Sequence, residues 1–298
     1  MNQTTETRIK ELIKMGEINR AQTEILANIL AQKEDMSTLV DVAKMIEDEG
    51  YEPAIIEDAV IKLQNPRLCV KYARTVKRFD AVKLAQSLIA SISKWGVMAV
   101  GAVCDFVHDQ PNLRPSALRE LTDGIIKTND IAYYAAFVEA SDKIRISTFV
   151  DAIVANEEMD AYDLLAFIDD VGKEKIRNWK GVISKVVAEG DDELMMNVLF
   201  DYVAHDWLYR NEMSKELIAF YKKGKNIEGL KALAARYKKD STEVYTIGKE
   251  IAEILLEEGK IEQLRAFADE NRAHNGGLAY HIDELIKNYE SGDDGIHN

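Results

Sequence analysis

Apolar residues along this chain recur at spacings of three and four, and runs that alternate apolar with polar at every second position are almost absent. Such spacing gathers side chains on one face of a helix, whereas a half-buried strand needs a period of two. Interrupted by short turns, the pattern predicts about eighteen helices between roughly residues 5 and 290 and no sheet. Ser37 and Ser241 stand where helices begin and can cap them, and Asp191 with Asp192 opens another helix. Gly16, Gly50, Gly172, Gly190, Gly224 and Gly259 fall where a left-handed residue closes a helix. The four prolines, Pro53, Pro66, Pro111 and Pro115, each sit where a helix can start.

One turn-to-helix segment occurs nearly twice. Gly224-Lys225-Asn226-Ile227-Glu228-Gly229-Leu230-Lys231-Ala232-Leu233-Ala234 is echoed by Gly259-Lys260-Ile261-Glu262-Gln263-Leu264-Arg265-Ala266-Phe267-Ala268. Ile227 pairs with Ile261, Leu230 with Leu264, Ala232 with Ala266 and Ala234 with Ala268, all at one constant offset. A fainter echo, at an offset close to two hairpins, aligns Leu68, Ile131 and Leu194, then Ala73, Ala136 and Leu199, with Phe137 on Phe200 and Ala140 on Val203. A fixed period of the length that separates Ile227 from Ile261 is the signature of stacked repeats, each burying its apolar face against its neighbours. The expected fold is all-α, an α-solenoid of stacked antiparallel helical hairpins. Gln110 to Pro115 is the most loop-like interruption and divides the expected repeats into residues 1–110 and 111–298 of one continuous superhelix.

The turn at Gly259 with Ile261 and Leu264, at Gly224 with Ile227 and Leu230, and at Gly16 with Ile18, Ala21 and Ile25 resembles the inter-helix turn of tetratricopeptide-type hairpins. Leu230 and Leu264 depart from that pattern, standing where the family places a small residue, and the proline that ends its repeat is missing. HEAT-like stacking is the other layout these residues allow. The resemblance implies a scaffold that binds a partner, and names no partner.

The chain of 298 residues carries 52 acidic and 38 basic side chains, a net charge of −14 that opposes broad attraction to nucleic acid or anionic membrane. Cys69 and Cys104 lie in helical apolar patterns and read as buried thiols in a reducing compartment. Neither a signal peptide nor an uninterrupted apolar stretch of spanning length is evident, so a cytoplasmic protein without membrane partners is expected.

Charge is gathered in blocks. An acidic belt over residues 151–206 includes Asp151, Glu157, Glu158, Asp160, Asp163, Asp169, Asp170, Asp191, Asp192, Glu193, Asp201 and Asp206. Arg67, Lys71, Arg74 and Arg78 follow spacings of four, three and four, which form one basic face if the predicted helix 66–77 runs on to residue 78. That stripe is either a docking face for phosphate or an acidic partner, or a solvated face balanced within the molecule. A second basic island between Lys215 and Lys239 contains Lys222, Lys223, Lys225, Lys231, Arg236, Lys238 and Lys239.

Catalytic signals are thin. Asp201 and His205 stand one helical turn apart with no further ligand at helical spacing, and His108, His274, His281 and His297 are scattered. No phosphate-cradling glycine loop, dinucleotide fingerprint, nucleophile elbow or paired-cysteine zinc pattern occurs, so no catalytic residue, metal or cofactor is expected. Trp207 and Tyr209, with Phe200 and Tyr202, are candidate interface anchors. The expectation is a non-catalytic scaffold, adaptor, assembly factor or stoichiometric inhibitor. Its partner is another protein, a basic surface being the complement of the belt. Shape and charge would hold it through Asp163, Asp169, Asp170, Asp191, Asp192, Trp207, Tyr209 and the stripe Arg67, Lys71, Arg74 and Arg78. The alternative is nucleic-acid binding through residues 67–78, or nucleic-acid mimicry by the belt 151–206. A helical-repeat glycosylase is a third reading, opposed by the net charge.

Overall fold

A computed structural model describes residues 3–32, 36–177, 179–239 and 241–291. Among them are eighteen α-helices and no strand. They divide between two compact units, Met1–Arg177 and Asn178–Asn298. The first unit contains α1 (Gln3–Lys14), α2 (Ile18–Gln32), α3 (Ser37–Asp48), α4 (Ala54–Leu63), α5 (Pro66–Thr75), α6 (Ala81–Trp95), α7 (Val97–Asp109), α8 (Pro115–Ile126), α9 (Ile131–Glu139), α10 (Ile146–Ala155) and α11 (Ala161–Val171). The second contains α12 (Lys180–Glu189), α13 (Asp192–Asn197), α14 (Trp207–Lys223), α15 (Ile227–Ala235), α16 (Thr242–Glu257), α17 (Ile261–Arg272) and α18 (Gly276–Ser291).

Within each unit most helices pack on a chain neighbour and on the helix two places on, which is how stacked hairpins build two layers. In the first unit α3, α5, α7, α9 and α11 form one layer and α2, α4, α6 and α8 the other. In the second unit α12, α14, α16 and α18 form a continuous layer. The Gln110–Pro115 segment lies inside the first unit, and α6 packs on α8 across it. Buried aromatic rings of Tyr134, Phe137, Phe149 and Phe167, with centroids 5.2 to 6.4 Å apart, fill the space between α9, α10 and α11.

Helix ends keep the period. Left-handed residues recur about once per hairpin, at Gly16, Gly50, Gln64, Gly96, Asn129 and Gly172 in the first unit and at Gly190, Lys225 and Gly259 in the second. Gly16, Gly50, Lys225 and Gly259 close their helices with a six-to-one bond, from Glu17 N–H to Leu12, Tyr51 to Ile46, Asn226 to Tyr221 and Lys260 to Leu255.

Three expectations are corrected. Gly224 has φ −82°, and the left-handed step falls on Lys225 at φ 50°. Ser37 is the first residue of α3, Met36 taking the cap position, while Ser241 does cap α16 through Val244 N–H. The fainter echo of Leu68, Ile131 and Leu194 is out of register. Leu68 and Leu194 are third in their helices and receive the caps of Asn65 and Asp191, whereas Ile131 is first in α9 and Tyr133 takes the third place. Ala21, Ile25, Asp35 and His297 lie outside the residues whose side chains are described.

Candidate functional site

The duplicated helices α15 and α17 reproduce each other's burial. Leu230 and Leu264 are fully buried, Ile227 and Ile261 half-buried, and Ala232 and Ala266 exposed. Both pack on α16, which at sixteen residues is longer than either. Between them runs a trough of two connected cavities of about 500 and 410 Å³, joined at Lys231, Phe267 and Glu270. Val244, Gly248, Ile251 and Leu255 of α16 lie in its lining with Ile227, Ala234 and Ala235 of α15 and Gln263, Ala266, Phe267 and Asn271 of α17. Tyr237, Lys239, His274 and Leu278 line one end, and Lys225, Asn226, Glu258 and Lys260 the other.

The rim is charged and largely self-balanced. Lys231 reaches Glu228 at 3.2 Å, Lys225 reaches Glu257 at 3.0 Å and Lys260 reaches Glu258 at 2.7 Å. Near Tyr237 the aromatic and cationic groups interleave: its ring lies 5.5 Å from Phe200, with Arg210 and Arg236 over the two rings at 5.4 and 4.8 Å. An apolar floor, two half-buried aromatic rings and a zwitterionic rim suit an amphipathic peptide segment. The sequence carried one signal for this trough. Leu233 of α15 is fully buried, and its counterpart in the duplicated segment is Phe267, which turns into the cavity.

The basic stripe is broken and partly neutralised. Arg67, Lys71 and Arg74 share α5, but Arg78 lies beyond its end. The Glu47 carboxylate accepts the backbone N–H of Lys77 at 2.8 Å and of Arg78 at 2.7 Å, capturing the donors that a longer helix would need. Lys71 lies 3.6 Å from Asp41 of α3, and Arg74 reaches Asp105 and Asp109 of α7. Of the second island, Lys222 sits between Glu250 and Glu253 of α16, whose hydrogen bonds hold its ammonium above the ordinary lysine pKa.

The acidic belt is divided between the units, and much of it serves helix starts. Asp160 and Asp163 form a reciprocal capping box on α11. Asp191 caps α13 and Asp206 caps α14, while Asp192 accepts from the Tyr221 hydroxyl at 3.2 Å. Asp169 and Asp170 are exposed at the end of α11. Trp207, 78% exposed, stands beside exposed Leu208 in the first turn of α14, whereas Tyr209 is half-buried.

Asp201 and His205 do not share a helix. After Asn197 the chain passes into a π-type turn over Val198–Tyr202, closed by Val203 N–H on Val198, and His205 follows in a turn. No group of three potential metal ligands occurs among the described residues. Burial and the neighbouring Asp105 push the Cys104 thiol up to about 11, and burial raises that of Cys69. No described helix is long and apolar enough to cross a membrane.

No protein-family model, curated protein or solved structure matches this chain.

Proposed function

We propose that this protein is a non-catalytic, cytoplasmic scaffold that holds a segment of another protein in the trough between α15 and α17. The observation that carries the reading is the trough itself. Two helices of related sequence stand over a longer third one, and between them Phe267 is exposed to an apolar floor of Val244, Gly248, Ile251 and Leu255. A bound segment would cover Phe267 and Tyr237 with its apolar side and set its polar side against the Lys and Glu rim. Engagement of Lys71 and Arg74 by acidic neighbours favours a protein ligand over nucleic acid, because phosphate binding on that stripe would first have to displace those carboxylates.

The test uses the internal duplication as its control. A photo-crosslinking residue at Ala266, in the trough, is expected to give a discrete adduct in cells. The same residue at Ala232, its exposed counterpart outside the trough lining, is expected to give none. Phe267→Glu should abolish the adduct with the helical circular dichroism unchanged. Equal labelling at both positions, or an adduct indifferent to Phe267→Glu, would refute the reading.

A further inference from the structure

Another cavity, of about 570 Å³, lies wholly in the first unit, where the N-terminal ends of three successive helices of one layer come together. Pro53 and Ala54 begin α4, Asp80 and Lys83 begin α6, and Arg114 precedes α8, and all five line it. Helix N-termini carry partial positive charge, so three in one wall reinforce one another. Two of these ends are already capped. Gln22 Oε1 accepts Ile55 N–H at 2.8 Å at the start of α4, and Asp80 accepts Val82 and Lys83 N–H at the start of α6. α8 begins at Pro115 with no capping side chain.

Across this wall runs the segment from Val76 to Asp80, fixed from behind. Glu47 takes the N–H groups of Lys77 and Arg78, and Glu57 takes that of Asp80 at 2.9 Å. With its backbone held, the segment contributes Lys77, Arg78 and Phe79 to the cavity beside Arg114. Among the described residues the side chains of Lys77, Arg78 and Arg114 make no ion pair, while Lys83 lies 3.6 Å from Asp58. Carboxylates line the cavity too, but most are committed. Glu57 is buried under Tyr72 and Asp80, Asp80 caps α6, and Asp58 faces Lys83, which leaves Glu52. Four cations and four carboxylates thus line the cavity, and what distinguishes Lys77, Arg78 and Arg114 is that no carboxylate stands within ion-pair distance of them, beside a helix end that no side chain caps.

We propose that this cavity binds a small phosphomonoester, its phosphoryl group held by Arg78, Arg114 and Lys77. A monoester carries about −1.5 to −2 at neutral pH, which matches several cations better than a single carboxylate does, and guanidinium forks engage its oxygens in pairs. The cavity is far larger than a bare phosphate ion, so an organic body fits beside Phe79. The proposal is independent of the trough between α15 and α17.

Isothermal titration of the full chain with glycerol 3-phosphate, against glycerol and sodium chloride at matched ionic strength, tests it. Saturable binding of the phosphomonoester alone is expected. Arg78→Glu combined with Arg114→Glu should weaken it at least about tenfold, since each charged hydrogen bond lost is worth about that factor. Arg67→Glu, which removes an exposed cation outside the cavity, should change affinity by less than about twofold. Arg78→Gln serves if the reversed charges disturb folding, with a smaller loss in the same direction. No heat above the salt control, or binding that survives both the Arg78 and Arg114 changes, would overturn the proposal.

Discussion

At Lys225 the backbone takes φ 50°, and one repeat later Gly259 takes φ 67°. An L side chain in this region is strained, and glycine is not. Lys225→Gly is therefore expected to be neutral or to stabilise the protein by up to about 1 kcal/mol, the relief of strain being offset by glycine's greater freedom when unfolded. Gly259→Ala should cost about 1 kcal/mol, and urea unfolding of both variants checks the pair. Glu57 supplies a second residue-scale outcome. Burial dominates its environment and raises its carboxyl above the usual range, despite hydrogen bonds from Asp80 N–H and the Tyr72 hydroxyl. A carboxyl whose folded pKa is raised contributes stability at low pH, which is lost as pH rises through that folded value. Glu57→Gln removes this dependence, so the variant should gain on the parent protein as pH is raised from about 4.5, the ordinary value, through the raised folded pKa. Thermal unfolding across that range decides it, and a constant difference between the two proteins would contradict the assignment.

Between helices, space at a glycine decides the sign of a substitution. A Cβ on Gly248 of α16 would lie 2.2 Å from a methyl of Leu278 and within 3.2 Å of two more of its atoms, so this side chain of α18 would have to leave its buried place against α16. On Gly101 of α7 it would meet nothing within 4 Å. Both gain helix propensity on becoming alanine, about 1 kcal/mol, but overpacking typically costs about 1–3 kcal/mol. Gly101→Ala should therefore stabilise and Gly248→Ala destabilise, a contrast in unfolding midpoint that propensity alone cannot produce. Element boundaries show the same division between local and tertiary causes. The start of α16 was legible because Ser241 caps it within its own segment. The end of α5 was not: Glu47, far earlier in the chain, withdraws the donors at Lys77 and Arg78. The belt was ambiguous for a related reason, because a run of carboxylates reads alike in sequence whether its members cap helices, as Asp160, Asp191 and Asp206 do, or face solvent.

At the scale of the chain, period and helix class were legible because apolar spacing of three and four recurs along it and a left-handed residue returns about once per hairpin. The trough and the basic cavity were not, since each depends on which helices stand apart and which ends converge. Lys77 and Arg114 are more than a whole hairpin apart in sequence and were not grouped with each other. The division after Arg177 was equally silent, falling in a stretch without proline or a glycine run. Its consequence is testable. The second unit holds a continuous helical layer, its own buried set from Val182 to Ile286 and the whole trough lining. At roughly 120 residues it is large enough to bury about two thirds of its unfolded surface. Residues 178–298 produced alone are expected to be helical, to unfold cooperatively in urea, and to retain the Ala266 crosslink that Phe267→Glu removes. A fragment with helical circular dichroism but a broad, non-cooperative transition would mean that this core is incomplete without residues 1–177.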